Sequence, residues 1–352
     1  MMSAPPLKLM SKSILIIYTG GTIGMERTEL GLGPMSIERF ARTFLSLPGL
    51  KDAGLPTFTL QASAVILDSA RMKPHDWLRV AQEIADSYSR FDGFLVIMGT
   101  DTMPYAASAL SFFLENLGKA VVVTGGQQPL VDGGVNEQAN LVGALRALEE
   151  ADDLFEVAIF FNRRLIRGNR SVKVNSAGAS GIISARIPSL GLLKDGVLSL
   201  RRDLTLARPD EAFRVTAVSG DLPRVSFLRL YPGFDPELLA CALWEPVRGL
   251  ILEAYGSGTA PDDPEFLAPL ERAAGRGVVI VCTSQCLKGR VEMDRYRTGH
   301  ALSNVGVIGG ADMTATAAYT KLLYLLACRH PATEVSKLVG VNLRGELTPV
   351  ET

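Results

Sequence analysis

Cysteine is scarce in this chain: Cys241, Cys282, Cys286 and Cys328 are the four present in 352 residues. That excludes a disulfide scaffold and points to buried or free thiols in mostly apolar runs. Cys282 and Cys286 have a C-x3-C spacing, but no second Cys or His pair lies nearby and His300 is the nearest histidine, so no zinc site is expected. A surplus of charge of either sign is also missing. Lys+Arg number 36 against 37 Asp+Glu, a formal net charge of −1, which argues against a dedicated nucleic-acid or membrane-surface binder. No apolar run approaches the roughly 18 residues of a membrane-spanning helix. The opening residues, MMSAPPLKLMSKS, lack the apolar core of a secretory signal, so a cytoplasmic location is expected by elimination. Internal repeats and low-complexity stretches are absent, and 47% hydrophobic with 21% charged residues excludes long disorder.

What the chain does have is alternation. The length suggests two domains. Short, wholly apolar runs at Ile14–Tyr18, Phe94–Met98, Ala120–Val123 and Val157–Phe161 read as buried strands. Between them, Met103, Ala106, Ala107, Leu110, Phe113, Leu114 and Leu117 follow a helical period, with Thr102 as a cap and Pro104 in the first turn. Asn140–Leu148 reads as a further helix. Strands alternating with helices predict an α/β fold with a parallel sheet flanked by helices. From about Leu192 to Val225 the pattern weakens into a charged hairpin or linker. It resumes with strands at Arg224–Leu230, Gly249–Ala254 and Val278–Cys282, a helix near Pro236–Cys241, and a helix through Cys328 with Asp312 as its cap. The division expected is a larger N-terminal domain over 1–195, a linker or hairpin over 196–224, and a smaller C-terminal α/β domain over 225–352.

Two loops carry chemistry. Thr19-Gly20-Gly21-Thr22-Ile23-Gly24 and Gly99-Thr100-Asp101-Thr102 each follow a buried strand and bring threonine hydroxyls to a strand's carboxyl end, where parallel sheets bind ligands. A hydroxyl there is a nucleophile once a base or cation activates it, and the glycines let a substrate approach backbone N–H groups that face an oxyanion. A plain tight turn with helix-capping hydroxyls explains the same residues. The loop fits neither common phosphate- or dinucleotide-binding motif. Asp101 could hold a substrate ammonium group, orient a base, or cap the next helix. Lys173, in Arg167-Gly-Asn-Arg-Ser-Val-Lys, is an ordinary surface lysine unless polar neighbours bury it, when it becomes a candidate for proton transfer.

Taken together, YTGGTIGM at 18–25, GTDTM at 99–103 and RGNRSVK at 167–173 resemble the bacterial-type L-asparaginases, in particular their cytoplasmic type I branch. DS at 68–69, SFLRLYPG at 226–233, TSQC at 283–286, GVIGGADMT at 306–314 and LRGELTP at 343–349 extend the resemblance over most of the chain. It implies a two-domain α/β homodimer or homotetramer with the site closed by a neighbouring subunit. It also implies an enzyme that hydrolyses L-asparagine to L-aspartate and ammonia, with glutamine a weak substrate and no metal or organic cofactor. By motif, Thr22 would be the nucleophile, with Thr100, Asp101 and Lys173 as the second polar set. Asp68, Ser69 and Asp101 would hold the substrate's α-substituents, and the backbone at Gly21 and Gly99 would face the oxyanion.

The sequence departs from the family pattern in three places. The segment after TGGTI, Met25 to Pro34, lacks the tyrosine that many asparaginases carry there; Tyr296, in the second domain, is the matching candidate. The DSSD of type I relatives reads Asp68-Ser69-Ala70-Arg71. Where some type I enzymes place an effector-binding arginine this chain has Glu253, with Cys286 kept, so an effector's carboxylate would meet another carboxylate. Two other functions fit the same motifs: an ammonia-generating subunit of a tRNA-dependent amidotransferase, and a non-catalytic amino-acid sensor.

Overall fold

The computed structural model describes residues 11–349 apart from Ala53 and Ser219. Its larger sheet contains β1 (Ser13–Tyr18), β2 (Thr57–Ala62), β3 (Gly93–Ile97), β4 (Val121–Thr124) and β5 (Val157–Phe161), parallel and in the order β2-β1-β3-β4-β5. Beyond β5, the strands β6 (Arg164–Arg167), β7 (Gly191–Lys194) and β8 (Val197–Leu200) continue it antiparallel, β7 and β8 forming a hairpin. The central strands are apolar apart from Ser13 and Thr124 at their ends, because both faces are covered. Leu15 and Ile17 of β1 enter one core, Ile14, Ile16 and Tyr18 the other.

Four helices join these strands: α1 (Ile37–Leu45), α2 (Pro74–Ser87), α3 (Met103–Phe113) and α4 (Val135–Glu150). Trp77 and Ile84 of α2 and Met103 and Leu110 of α3 fill the first core; Phe40 and Phe44 of α1 and Leu141 and Leu145 of α4 fill the second. The connections through α2, α3 and α4 all run the same way across the sheet, yet α4 lies on the opposite face. The β4-α4-β5 crossover therefore has the opposite hand to the other three, a departure from the usual uniform handedness.

The smaller sheet holds β9 (Arg224–Arg229), β10 (Val247–Ala254), β11 (Val279–Ser284) and β12 (Val307–Gly309), parallel and in sequence order. Its connecting helices α5 (Pro236–Ala242), α6 (Pro264–Gly275) and α7 (Arg297–Asn304) share one face through Leu239, Leu270 and Leu302. Helices α8 (Ala315–Ala327) and α9 (Ala332–Val339) follow β12 and cover the other. The expected pairing of a larger N-terminal and a smaller C-terminal α/β unit is the architecture observed.

Every residue of α3 except Tyr105 is buried, since α8 covers the side that the sheet does not. Ser108 and Thr320 share a 2.6 Å hydroxyl contact across this join, and the Phe112 and Tyr324 rings stack with centroids 5.8 Å apart. The helical period expected to run through Leu117 stops at Phe113. The amide of Thr216 takes the Phe113 carbonyl at 2.9 Å, and Leu114 and Glu115 pair with Arg214–Val215 instead. A second correction concerns α8. Its cap is Thr314, whose side chain accepts from Ala317 N at 3.0 Å; Asp312 is engaged by Arg170 and Thr348 and caps nothing.

Candidate active site

The strand order reverses at β1: the chain leaves β1 for β2 on one side, while β3 lies on the other. A crevice opens at the carboxyl ends of strands at such a switch point. Thr19–Thr22 and Gly99–Thr102 line it, joined by 66–70. Glycine lets these loops interlock. Gly20 and Gly21 have φ of 111° and 94°, and a Cβ on Gly21 would stand 2.2 Å from Gly99 N. On Gly20 it would stand 2.4 Å from the Leu67 carbonyl oxygen, and on Gly99 2.5 Å from Ser69 Oγ. The amide of Leu67 donates to Thr19 O at 2.9 Å, which fixes the third loop to the first.

The four threonines divide into two pairs. Thr19 Oγ donates to Ile97 O at 3.1 Å, and Thr102 Oγ to Ser69 O at 2.8 Å. These two hydroxyls are committed to holding loops, and Thr102 occupies the cap position of α3 without capping it. Thr22 opens the short 3-10 turn Thr22–Gly24, half-buried, with Gly21 at the cap position and no side-chain capping bond. Thr100, 4% exposed, accepts from Lys173 Nζ at 2.9 Å. Lys173 also pairs with Asp101. Its side chain is 18% exposed against 65% for Asp101, so the lysine is sunk beneath the crevice and the carboxylate stands at its rim. Lys173 ends the strand Ser171–Lys173, opposite Ile182 of Ile182–Ser184.

Asp68 is exposed at the rim and caps the turn Ser69–Arg71, accepting from Ala70 N at 3.0 Å. Ser69 is buried against Gly99. Tyr18, directly before TGGT, stacks on Phe40 at 3.8 Å under the turn, and its hydroxyl lies 3.5 Å from Gly24 O. Burial pushes its pKa up to about 12. The segment after TGGTI folds as an antiparallel hairpin, Met25–Thr28 against Gly31–Pro34, tied to α1 by an Arg39–Glu26 pair at 2.8 Å.

Thr22, Ser69, Thr100, Asp101 and Lys173 thus meet in or around one crevice with Asp68, Gly21 and Gly99. Tyr296 stands apart. It is 51% exposed and lines an open cleft of the C-terminal domain with Tyr255, Gly256 and Thr298, under the Arg295 guanidinium.

A cavity of about 320 Å³ opens between the two domains, with Glu253, Cys286 and Arg186 in its wall. Burial raises the Glu253 pKa, opposed by Arg229, 3.4 Å away, and by Arg186. Glu253 therefore shares its pocket with two arginines. The signal for one of them lay in SFLRLYPG, whose Arg229 pairs directly across the sheet with Glu253.

Among the described residues no group of three or more His, Cys, Asp or Glu is placed to hold a metal ion, and no helix is long and apolar enough to cross a membrane. Cys282 is buried, with its thiol pKa raised to about 12 by desolvation, whereas Cys286 is exposed.

The family model for the N-terminal domain of asparaginase matches residues 13–206, and that for the glutaminase/asparaginase C-terminal domain matches 224–339. L-asparaginase 1 of Escherichia coli strain K12 is 42% identical over 97% of this chain and 99% of its own. The 60 kDa lysophospholipase of Mus musculus is 36% identical over 96% of this chain and 63% of its own. The crystal structure of L-asparaginase I from Vibrio cholerae superposes with a TM-score of 0.88 at 40% identity, covering 96% of this chain and 100% of that one. Both family models in order and near-complete coverage by type I relatives, on a crevice lined with the family's hydroxyls, lead to one conclusion: this chain belongs to the asparaginase family and is an amidohydrolase.

Proposed function

We propose that the enzyme hydrolyses the side-chain amide of L-asparagine through an acyl-threonine intermediate on Thr22, with glutamine a weak substrate. The observation that carries this reading is the 2.9 Å contact of Lys173 Nζ with Thr100 Oγ, beside the Asp101 carboxylate and on the loop whose Gly99 packs against Gly21, the neighbour of Thr22. Thr22 Oγ attacks the amide carbon while its proton passes by way of Thr100 and Lys173 to the departing nitrogen. The C–N bond breaks, ammonia leaves, and the ester remains. Backbone N–H groups at Gly21 and Gly99 face the oxyanion of each tetrahedral step. Water then attacks the ester by the same relay in reverse, releasing aspartate and restoring the Thr22 hydroxyl. Asp68, with its neighbour Ser69, and Asp101 hold the substrate's α-substituents at the rim.

No cofactor enters this chemistry. Catalysis in a cytoplasmic homodimer or homotetramer belongs to the same reading: a crevice whose carboxylates stand exposed at its rim suits closure by a second copy, and Tyr296 of the open cleft is the residue such a copy would bring.

The experiment is steady-state ammonia release from asparagine and glutamine side by side, with Thr22→Ala as the control. Release from asparagine that disappears in the variant supports the reading. A wild-type protein that binds asparagine but releases no ammonia would make it a sensor.

A further inference from the structure

We propose that the C-terminal domain sets the position of Lys173, through two arginines that bracket its hairpin. The inference rests on the reading of Lys173 as the residue that moves the proton. Lys173 lies on a two-stranded sheet, Ser171–Lys173 against Ile182–Ser184, too short to be stable by itself. Arg170 directly precedes its first strand, and Arg186 follows its second by two residues. The two are tied at the open end of the hairpin, where Ala185 N donates to Arg170 O at 2.7 Å.

Both side chains cross to the same loop of the other domain, between β12 and α8. Arg170, 1% exposed, donates through Nη1 to the Asp312 carboxylate at 2.9 Å and through Nε to Gly345 O at 2.8 Å. Thr348 holds that carboxylate from behind, with its amide at 2.7 Å and its hydroxyl at 2.6 Å. Arg186 donates to Met313 O, and through Nη2 to Ser284 O at 3.2 Å and Cys286 O at 2.7 Å. Its backbone has φ 67°, a left-handed conformation that a residue with a side chain holds where its surroundings dictate it.

Neither arginine touches the crevice, so both are positioning residues. Their partners leave little freedom. A guanidinium fork bound at two or more acceptors fixes direction as well as distance. Slack in this clamp moves the lysine relative to Thr100 without altering the rim that holds the substrate.

Arg186→Met removes the carbonyl contacts and keeps the apolar stem; Asp312→Asn removes the charge at the other arm. Each is compared with wild type in asparagine hydrolysis, alone and combined with Lys173→Met, at a temperature where circular dichroism reports a folded chain. A misplacement of this kind lowers kcat by about 10-fold or more, with KM within about two-fold of wild type. In the Lys173→Met background the same substitutions add no further loss, because the group through which they act is gone.

Unchanged kcat, a raised KM alone, or an equal proportional loss in the Lys173→Met background overturns the inference. Should Asp312→Asn fail to fold, with Arg170 left unpaired in the interior, Arg186→Met decides. Full turnover by Lys173→Met alone would instead remove the lysine from the reaction, and the clamp's purpose with it.

Discussion

The two domains are both parallel sheets wrapped in helices, yet the proposed chemistry falls in one of them. Their strand orders account for this. In the smaller sheet β9 to β12 follow one another in sequence, so all three connecting helices take the same face and no two neighbouring loops part. In the larger sheet the order turns back at β1, so the chain leaves β1 and β3 in opposite directions across the sheet, after loops whose glycines interlock. The crevice at this point is a product of connectivity rather than of sheet type. At the carboxyl edge of the smaller sheet, Gln285 Nε2 ties two neighbouring strands together, reaching Leu230 O at 2.7 Å and Glu253 O at 3.0 Å. What that edge offers the larger domain is anchorage for Arg170 and Arg186.

The comparison breaks most sharply on the hydroxyls. Thr22→Ala and Thr100→Ala are expected to lower kcat by about 10²-fold or more with the fold intact, since each removes a reacting group and almost no core volume. Ammonia release and circular dichroism on the same samples check this, and near-full activity of Thr22→Ala would move the nucleophile elsewhere. Lys173→Met is expected to lower kcat strongly with little change in KM; a variant that only raises KM would assign the lysine to binding.

Smaller effects sharpen the contrast between working and structural threonines. Thr19→Val, which removes the bond to Ile97 O, is expected to cost about 1 kcal/mol of stability in a denaturant titration while most of the turnover survives. A collapse of kcat without loss of stability would place Thr19 in the chemistry. The smallest effect concerns the interdomain pocket. Arg229 is paired with Glu253, and that carboxylate stands in the pocket wall where an effector's own carboxylate would have to sit. Initial rates over a wide asparagine range are expected to be hyperbolic, and a Hill coefficient clearly above one would show that the pocket takes a ligand.

Much of this was legible before any coordinates. Short, wholly apolar runs marked β1, β3, β4 and β5 to within a residue or so, because strands covered on both faces leave few polar positions to blur the pattern. GTDT and TGGT pointed to the crevice because glycine and threonine at a strand's carboxyl end are informative on local grounds. The end of α3 was not legible: Leu114 and Leu117 continue the helical period, and what stops the helix is a segment a hundred residues later that takes the Phe113 carbonyl. Asp312 misled in the same way. An aspartate shortly before an apolar helical run reads as a cap, and nothing nearby in sequence reveals that its carboxylate belongs to Arg170, 142 positions away.

The sequence by itself therefore determined the main strands, the two-domain α/β class and the family, all of which rest on local periodicity and short motifs. The tertiary structure decided which threonines remain available, that Gly21 must pass within contact of Gly99, that α4 crosses on the unexpected face, and that Tyr296 lines a separate cleft. It also decided that two arginines carry the hairpin of Lys173 on the other domain. The physical reason is common to all of these: each depends on which backbone carbonyls and carboxylates a distant segment leaves unclaimed, and that competition is settled only when the chain has packed.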